Sequence, residues 1–151
     1  MQGPPPHSSF DKLVCKTIKY NEPININSKT LTEVYHYSVD FTTNKKYKMV
    51  TVRLCIPFTG NSGGVGARSR ILLYLDKEMI CDGSIHNGTS YDLKPLHLYG
   101  EVFDLPPGKH SVKLMCSTAG GILTIPHYDS RYIEHTVKPE ISGKVTILGF
   151  E

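Results

Sequence analysis

The chain has 151 residues, 39% of them apolar, with nine Tyr, five Phe, no Trp and a formal charge of +3. That length suits one domain with a real core, and a charge so near neutral, with only Lys45, Lys46 and Lys48 clustered, leaves no nucleic-acid footprint. No apolar run has the length of a membrane-spanning helix, and Met1 to Ser9 has neither the basic nor the apolar region of a signal peptide. The expected route is therefore synthesis in the cytosol, with retention there or incorporation into a larger assembly.

In chain order, residues 1–10 read as a flexible arm, because Pro4-Pro5-Pro6 favours an extended form without internal hydrogen bonds. A single β domain is expected over 11–151. Residues 13–20 make a short strand, and Pro23 places the alternating stretch 22–27 at a strand start or sheet edge. Over 31–43 the alternation sets Tyr35, Tyr37, Val39 and Phe41 on one face and Val34, His36, Ser38 and Asp40 on the other. After a turn at 43–46, Val50, Val52, Leu54 and Ile56 alternate with Met49, Thr51, Arg53 and Cys55, as an antiparallel partner that Pro57 should end.

Residues 59–67 form a glycine-rich loop without the Lys-Ser/Thr ending of a P-loop, so it reads as a mobile connection. A strand over 70–76 places Ile71, Leu73 and Leu75 inward, then turns at Asp76-Lys77-Glu78 into Met79-Ile80-Cys81. The polar stretch 84–94, with the sequon Asn87-Gly88-Thr89, reads as a turn. Leu96, Leu98 and Val102 alternate with His97, Tyr99 and Phe103, and Pro106-Pro107-Gly108 reads as a hairpin turn into the strand ending at Cys116. Gly120-Gly121 turns again before 122–125, and strands follow at 131–137 and 144–150.

About eight to ten short strands without an amphipathic helix predict an all-β, two-sheet antiparallel β-sandwich. Jelly roll is the leading topology, with an immunoglobulin-like sandwich as the alternative.

Three phrases bear on family: Leu73-Tyr74-Leu75-Asp76-Lys77, Leu96-His97-Leu98-Tyr99-Gly100, and Leu105-Pro106-Pro107-Gly108-Lys109-His110-Ser111-Val112-Lys113. With Gly120-Gly121 and Thr146-Ile147-Leu148-Gly149-Phe150, the run 70–150 resembles jelly-roll head domains of the tumour-necrosis-factor (TNF) and C1q type. No collagen-like repeat accompanies it. The resemblance implies a homotrimer packed through aromatic sheet faces, and Tyr35, Tyr37 and Phe41 are the candidate self-association residues.

The residues give little sign of catalysis. Seven histidines occur without HxH or HExxH spacing, although His97 and His110 would be cross-strand neighbours if the Pro-Pro-Gly turn closes a hairpin. No metal or other cofactor is expected. There is no GxSxG elbow, and the four cysteines, without CxxC spacing, read as reduced and buried. The expectation is a non-enzymatic assembly or binding module that self-associates, with a protein or glycan ligand and no nucleic acid. The alternative is a lectin-like module that binds carbohydrate through loops at one end of the sandwich. Its candidate residues are Asn87, Tyr91 and Asp92 on one loop and Tyr128, Asp129, Arg131 and Tyr132 on another.

Overall fold

The computed structural model describes residues 9–18, 24–61, 63, 66–86, 94–125 and 143–151. Among these, twelve strands run in chain order. They are β1 (Phe10–Ile18), β2 (Ile24–Ile26), β3 (Thr32–Glu33), β4 (Val39–Thr43), β5 (Tyr47–Asn61), β6 (Arg68–Leu75), β7 (Glu78–Asp82), β8 (Ile85–His86), β9 (Lys94–Leu105), β10 (Gly108–Ala119), β11 (Leu123–Ile125) and β12 (Gly143–Phe150). β1 thus begins inside the stretch read as an arm.

One sheet has the order β1-β12-β5-β9 and the other β4-β10-β6-β7, all antiparallel; β2, β3, β8 and β11 extend them at their margins. Of the eight long strands, the first pairs with the last, the second with the seventh, the third with the sixth, and the fourth with the fifth. That is a jelly roll: a doubled ribbon of chain wound so that neighbouring strands of the ribbon change sheet together. The expected sandwich is present, and an immunoglobulin-like order is not.

This order corrects two sequence expectations. The Pro106-Pro107-Gly108 turn does not close a hairpin, since β9 pairs with β5 and β10 with β4 and β6. The turn at 43–46 likewise joins strands of different sheets. Both connections are corners, and they run side by side. Thr43 pairs with Gly108 and its Oγ1 donates to the Pro106 carbonyl at 3.3 Å. Asp104 (φ 57°) and Gly108 (φ 135°) supply the backbone reversals that a corner needs. His110 is buried beside it, with Nδ1 2.8 Å from Asp76 Oδ2 and Nε2 2.8 Å from the Pro106 carbonyl. The same Asp76 accepts from the Ser111 amide at 2.9 Å, so one histidine ties the corner to the β6–β7 turn.

Alternation fills the space between the sheets. Val50, Val52, Leu54 and Ile56 face Ile71, Leu73, Leu75, Val112 and Leu114, with Leu98, Val145 and Ile147 completing the layer. Each such side chain contributes about 1.5–3 kcal/mol on burial. At one end Tyr47 lies over Gly149 and its hydroxyl donates to Asp11 at 2.7 Å. Lys45 pairs with Asp11 at 3.0 Å and with Glu151. The Tyr47 and Lys45 hydrogen bonds hold the Asp11 carboxyl below its ordinary range.

Further corrections concern single segments. The stretch 31–43 is not one strand. Between the Glu33–Met115 and Val39–Val112 pairs the chain has five residues where β10 has two, a surplus of three. The surplus forms a 3-10 turn at Tyr35–Tyr37. Tyr37 and Phe41 therefore drop into the protein's own core, at 0% and 7% exposure, while Tyr35 is 75% exposed. Tyr35, Tyr37 and Phe41 do not share a contact face. Pro57 does not end β5 either; the strand continues to Asn61 through a bulge between Ile56 and Thr59, a place where a missing amide hydrogen is tolerated.

The glycine-rich loop is partly anchored. Asn61, buried, donates to Ser69 Oγ at 2.8 Å and accepts from the Gly63 amide at 2.8 Å. Gly121, at φ 74°, packs against this anchor, and a Cβ there would collide with Asn61 Oδ1 and the Gly63 backbone. Gly66 also has positive φ (86°) but faces open space. Gly66→Ala should cost about 1 kcal/mol through backbone strain alone, and Gly121→Ala roughly 3 kcal/mol. Urea unfolding midpoints of the two variants check this; equal shifts would show that the packing against Asn61 contributes nothing.

Candidate functional site

The loop candidates Asn87, Tyr91, Asp92, Tyr128, Asp129, Arg131 and Tyr132 lie outside the described residues. The described residues bring together a different set. On the outer face of the β4-β10 pair, period two sends Lys109, Ser111 and Lys113 outward from β10 and Asp40 and Thr42 outward from β4. The register sets Lys109 beside Thr42 and Ser111 beside Asp40.

Above them the 3-10 turn lifts Tyr35 off the sheet. The result is a groove of about 410 Å³ lined by Glu33, Tyr35, Ser38, Asp40, Ser111 and Lys113. Asp40 and Ser111 also line a second depression of about 640 Å³ that reaches Thr42, Lys109, Asp76 and His110. The two adjoin at Asp40 and Ser111 and form a shallow, mainly polar channel with Phe41 in its wall. Lys113 Nζ is 3.6 Å from Glu33 Oε1, an ion pair longer than a hydrogen bond, so the ammonium can still donate to a ligand. Among the described residues no hydrogen-bond partner engages the Asp40 carboxylate. The channel can therefore accept hydrogen bonds at carboxylates, donate them from ammonium and hydroxyl groups, and cover an apolar surface with the Tyr35 ring.

The opposite sheet presents a different face. In register across β1, β12, β5 and β9 lie Phe10, Phe150, Met49 and Phe103. The next outward row is Lys12, Leu148, Thr51 and Glu101, and the third is Cys15, Thr146, Arg53 and Tyr99. Phe10 and Phe103 are 50% and 62% exposed, and the Phe10 and Phe150 rings stand 6.0 Å apart. Arg53 lies over the Tyr99 ring at 5.7 Å, and the Tyr99 hydroxyl donates to Glu101 at 2.8 Å. In the fourth row His97 Nδ1 is 3.3 Å from Cys55 Sγ, a nucleophile and base in reach of each other on an open sheet face.

His97 and His110, taken as possible cross-strand neighbours, belong to different sheets, and among the described residues no three metal-ligating side chains converge. The cysteines are free, but only Cys116 is buried; Cys15 is exposed and Cys55 and Cys81 are half-buried. Among the described residues no helix is long and apolar enough to cross a membrane.

No family model matches this chain, and no curated protein does. Among solved structures it is similar to the EclA C-terminal domain, described as a sugar-binding protein, at 13% identity over 70% of this chain and 74% of that one, with a TM-score of 0.47. A family 35 carbohydrate-binding module from an environmental isolate is similar at 16% identity over 87% of this chain and 95% of that one, with a TM-score of 0.37. The infectious bursal disease virus VP2 subviral particle is similar at 8% identity over 91% of this chain and 36% of that one, with a TM-score of 0.41. At TM-scores of 0.47 and below, these likenesses decide nothing about function, and the fold rests on the strand order itself.

Sequence reasoning missed the channel for one reason. The outward row Lys109-Ser111-Lys113 was legible as alternation, but the turn that lifts Tyr35 above it exists only because of a length mismatch with β10.

The cysteines give a test of the described burial. Desolvation pushes the Cys116 thiol up to about 12, whereas Cys15 lies in solvent. Alkylation needs the thiolate, so iodoacetamide at about pH 8 should label Cys15 in the native protein and Cys116 only after unfolding. Peptide mass mapping reads this, and native labelling of Cys116 at the rate of Cys15 would contradict the placement of β10 in the core.

Proposed function

We propose that the protein is a non-enzymatic binding module that takes a carbohydrate in the channel over β3, β4 and β10. The observation that supports it most is the 75% exposed Tyr35 ring at the mouth of a groove lined by Glu33, Ser38, Asp40, Ser111 and Lys113. A sugar ring has an apolar face of C–H groups and a rim of hydroxyls that both donate and accept. An aromatic ring covers the first, and carboxylates beside an ammonium serve the second. The mixed signs of Asp40, Glu33, Lys113 and Lys109 suit a neutral polyhydroxyl ligand better than a strongly charged one.

The channel lies open across the sheet, so a bound sugar stays in contact with water. That arrangement fits retention of the ligand rather than reaction of it, because catalytic sites gain from excluding water. Self-association, the other expectation from the sequence, is not supported by its own candidates, since Tyr37 and Phe41 lie in the core.

The test is a glycan array followed by calorimetry on any sugar that binds. Tyr35→Ala should weaken binding at least tenfold, about 1.4 kcal/mol, and Tyr35→Phe should keep most of it. Asp40→Asn should weaken it several-fold. Melting temperatures should stay unchanged, since Tyr35 and Asp40 are exposed. A silent array, or a Tyr35→Ala variant that binds like the parent, would sink the proposal.

A further inference from the structure

We propose that the outer face of the β1-β12-β5-β9 sheet is a self-complementary contact surface for a second copy of this chain, joined about a two-fold axis parallel to the strands. This is independent of the sugar channel, which lies on the other sheet. The stripe Phe10-Phe150-Met49-Phe103, with Leu148 beside it, crosses all four strands in register. Phe10 and Phe103, at its two ends, are half or more exposed. Contiguous apolar surface of this kind marks a contact site rather than chance exposure.

The arrangement of charge argues for the occupant. An axis running between β12 and β5 along the strands brings each residue opposite the one in the same row on the mirror-placed strand. Phe10 then meets Phe103 of the other copy and Phe150 meets Met49. In the next row Lys12 on β1 meets Glu101 on β9, twice over by symmetry, and Leu148 meets Thr51. The remaining charges also avoid their like: Arg53 falls opposite Thr146, and Lys144 opposite Cys55. An axis across the strands instead sets Phe150 on Lys144 and Phe103 on His97, burying charge and imidazole under apolar rings. The strand-parallel two-fold makes the face complementary to itself, as an isologous dimer requires.

Aligned sheets pack at about −30°, which leaves the stripe in contact and lets the long Lys12 and Glu101 side chains reach across. Four strands about 4.8 Å apart and about 20 Å of their length give a footprint near 400 Å² per copy. The two copies together bury about 800 Å², below the size of standard stable interfaces and in the class of weak, transient ones, so the dimer should form only in the range of tens of micromolar or above.

Sedimentation velocity from about 1 to about 200 µM tests the proposal, with the mass expected to rise from one chain to two. Phe103→Asp should stay at one chain throughout. Lys12→Glu and Glu101→Lys should each weaken association about fivefold. The combined charge swap, Lys12→Glu with Glu101→Lys, should return it to within about twofold of the parent. That rescue is specific, because within one copy the two residues sit on strands at opposite edges of the four-stranded face. Circular dichroism confirms folding of each variant, and Tyr35→Ala should associate like the parent. A one-chain mass at every concentration, a three-chain mass, or a doubly reversed variant as weak as the single ones would each overturn it.

Discussion

Two strand connections pass from one sheet to the other side by side, and the rest of the molecule follows from that crossing. β4 leads to β5 and β9 leads to β10 at the same end of the sandwich, because β4 pairs with β10 and β5 with β9. A doubled ribbon that turns the corner together keeps its cross-strand hydrogen bonds almost up to the bend. A single strand crossing alone would leave unpaired amides and carbonyls there. The corner is closed by groups the bend itself exposes. The Pro106 carbonyl, freed from any ladder, accepts from Thr43 and faces His110.

Because the ribbon is wound this way, each sheet has one face inside and one outside, and the two outer faces have opposite characters. β10 runs through its sheet with Lys109, Ser111 and Lys113 outward. β12, β5 and β9 send out Phe150, Leu148, Met49 and Phe103. Alternation fixes which residues are outward but says nothing of their chemistry, so the contrast is a property of this sequence, not of the fold. Thr51 shows the effect of neighbours: it points outward yet is only 7% exposed, flanked by Leu148 and Glu101 in its own row.

The strands and their inward residues were legible because period two is a local signal. Val50, Val52, Leu54 and Ile56 are all buried, as the alternation demanded. The partner of each strand was not legible. A short connection such as Pro106-Pro107-Gly108 closes a hairpin or turns a corner with the same residues, and only the distant partners β4 and β5 decide between them. The misreading of Tyr35, Tyr37 and Phe41 has the same origin. Their spacing is that of a strand, and the three surplus residues that break it are visible only against β10. The jelly roll implied by the TNF and C1q resemblance is present in the strand order, while the loop candidates for sugar binding fall outside the described residues.

The position of Tyr35 links these observations. A ring of that size on a regular strand would either enter the core, as Phe41 does, or lie flat among its row neighbours, as Tyr99 does under Arg53. The 3-10 turn does neither. Val34 is tied back to Leu114 by its amide at 2.8 Å, and Tyr37 is buried, so the turn is pinned on both sides of the exposed ring. The core thus anchors the segment that carries the exposed aromatic, and holding a recognition group this way lowers the entropy lost when a ligand settles on it. A length mismatch between two paired strands becomes, by this route, a fixed aromatic surface above a row of polar groups.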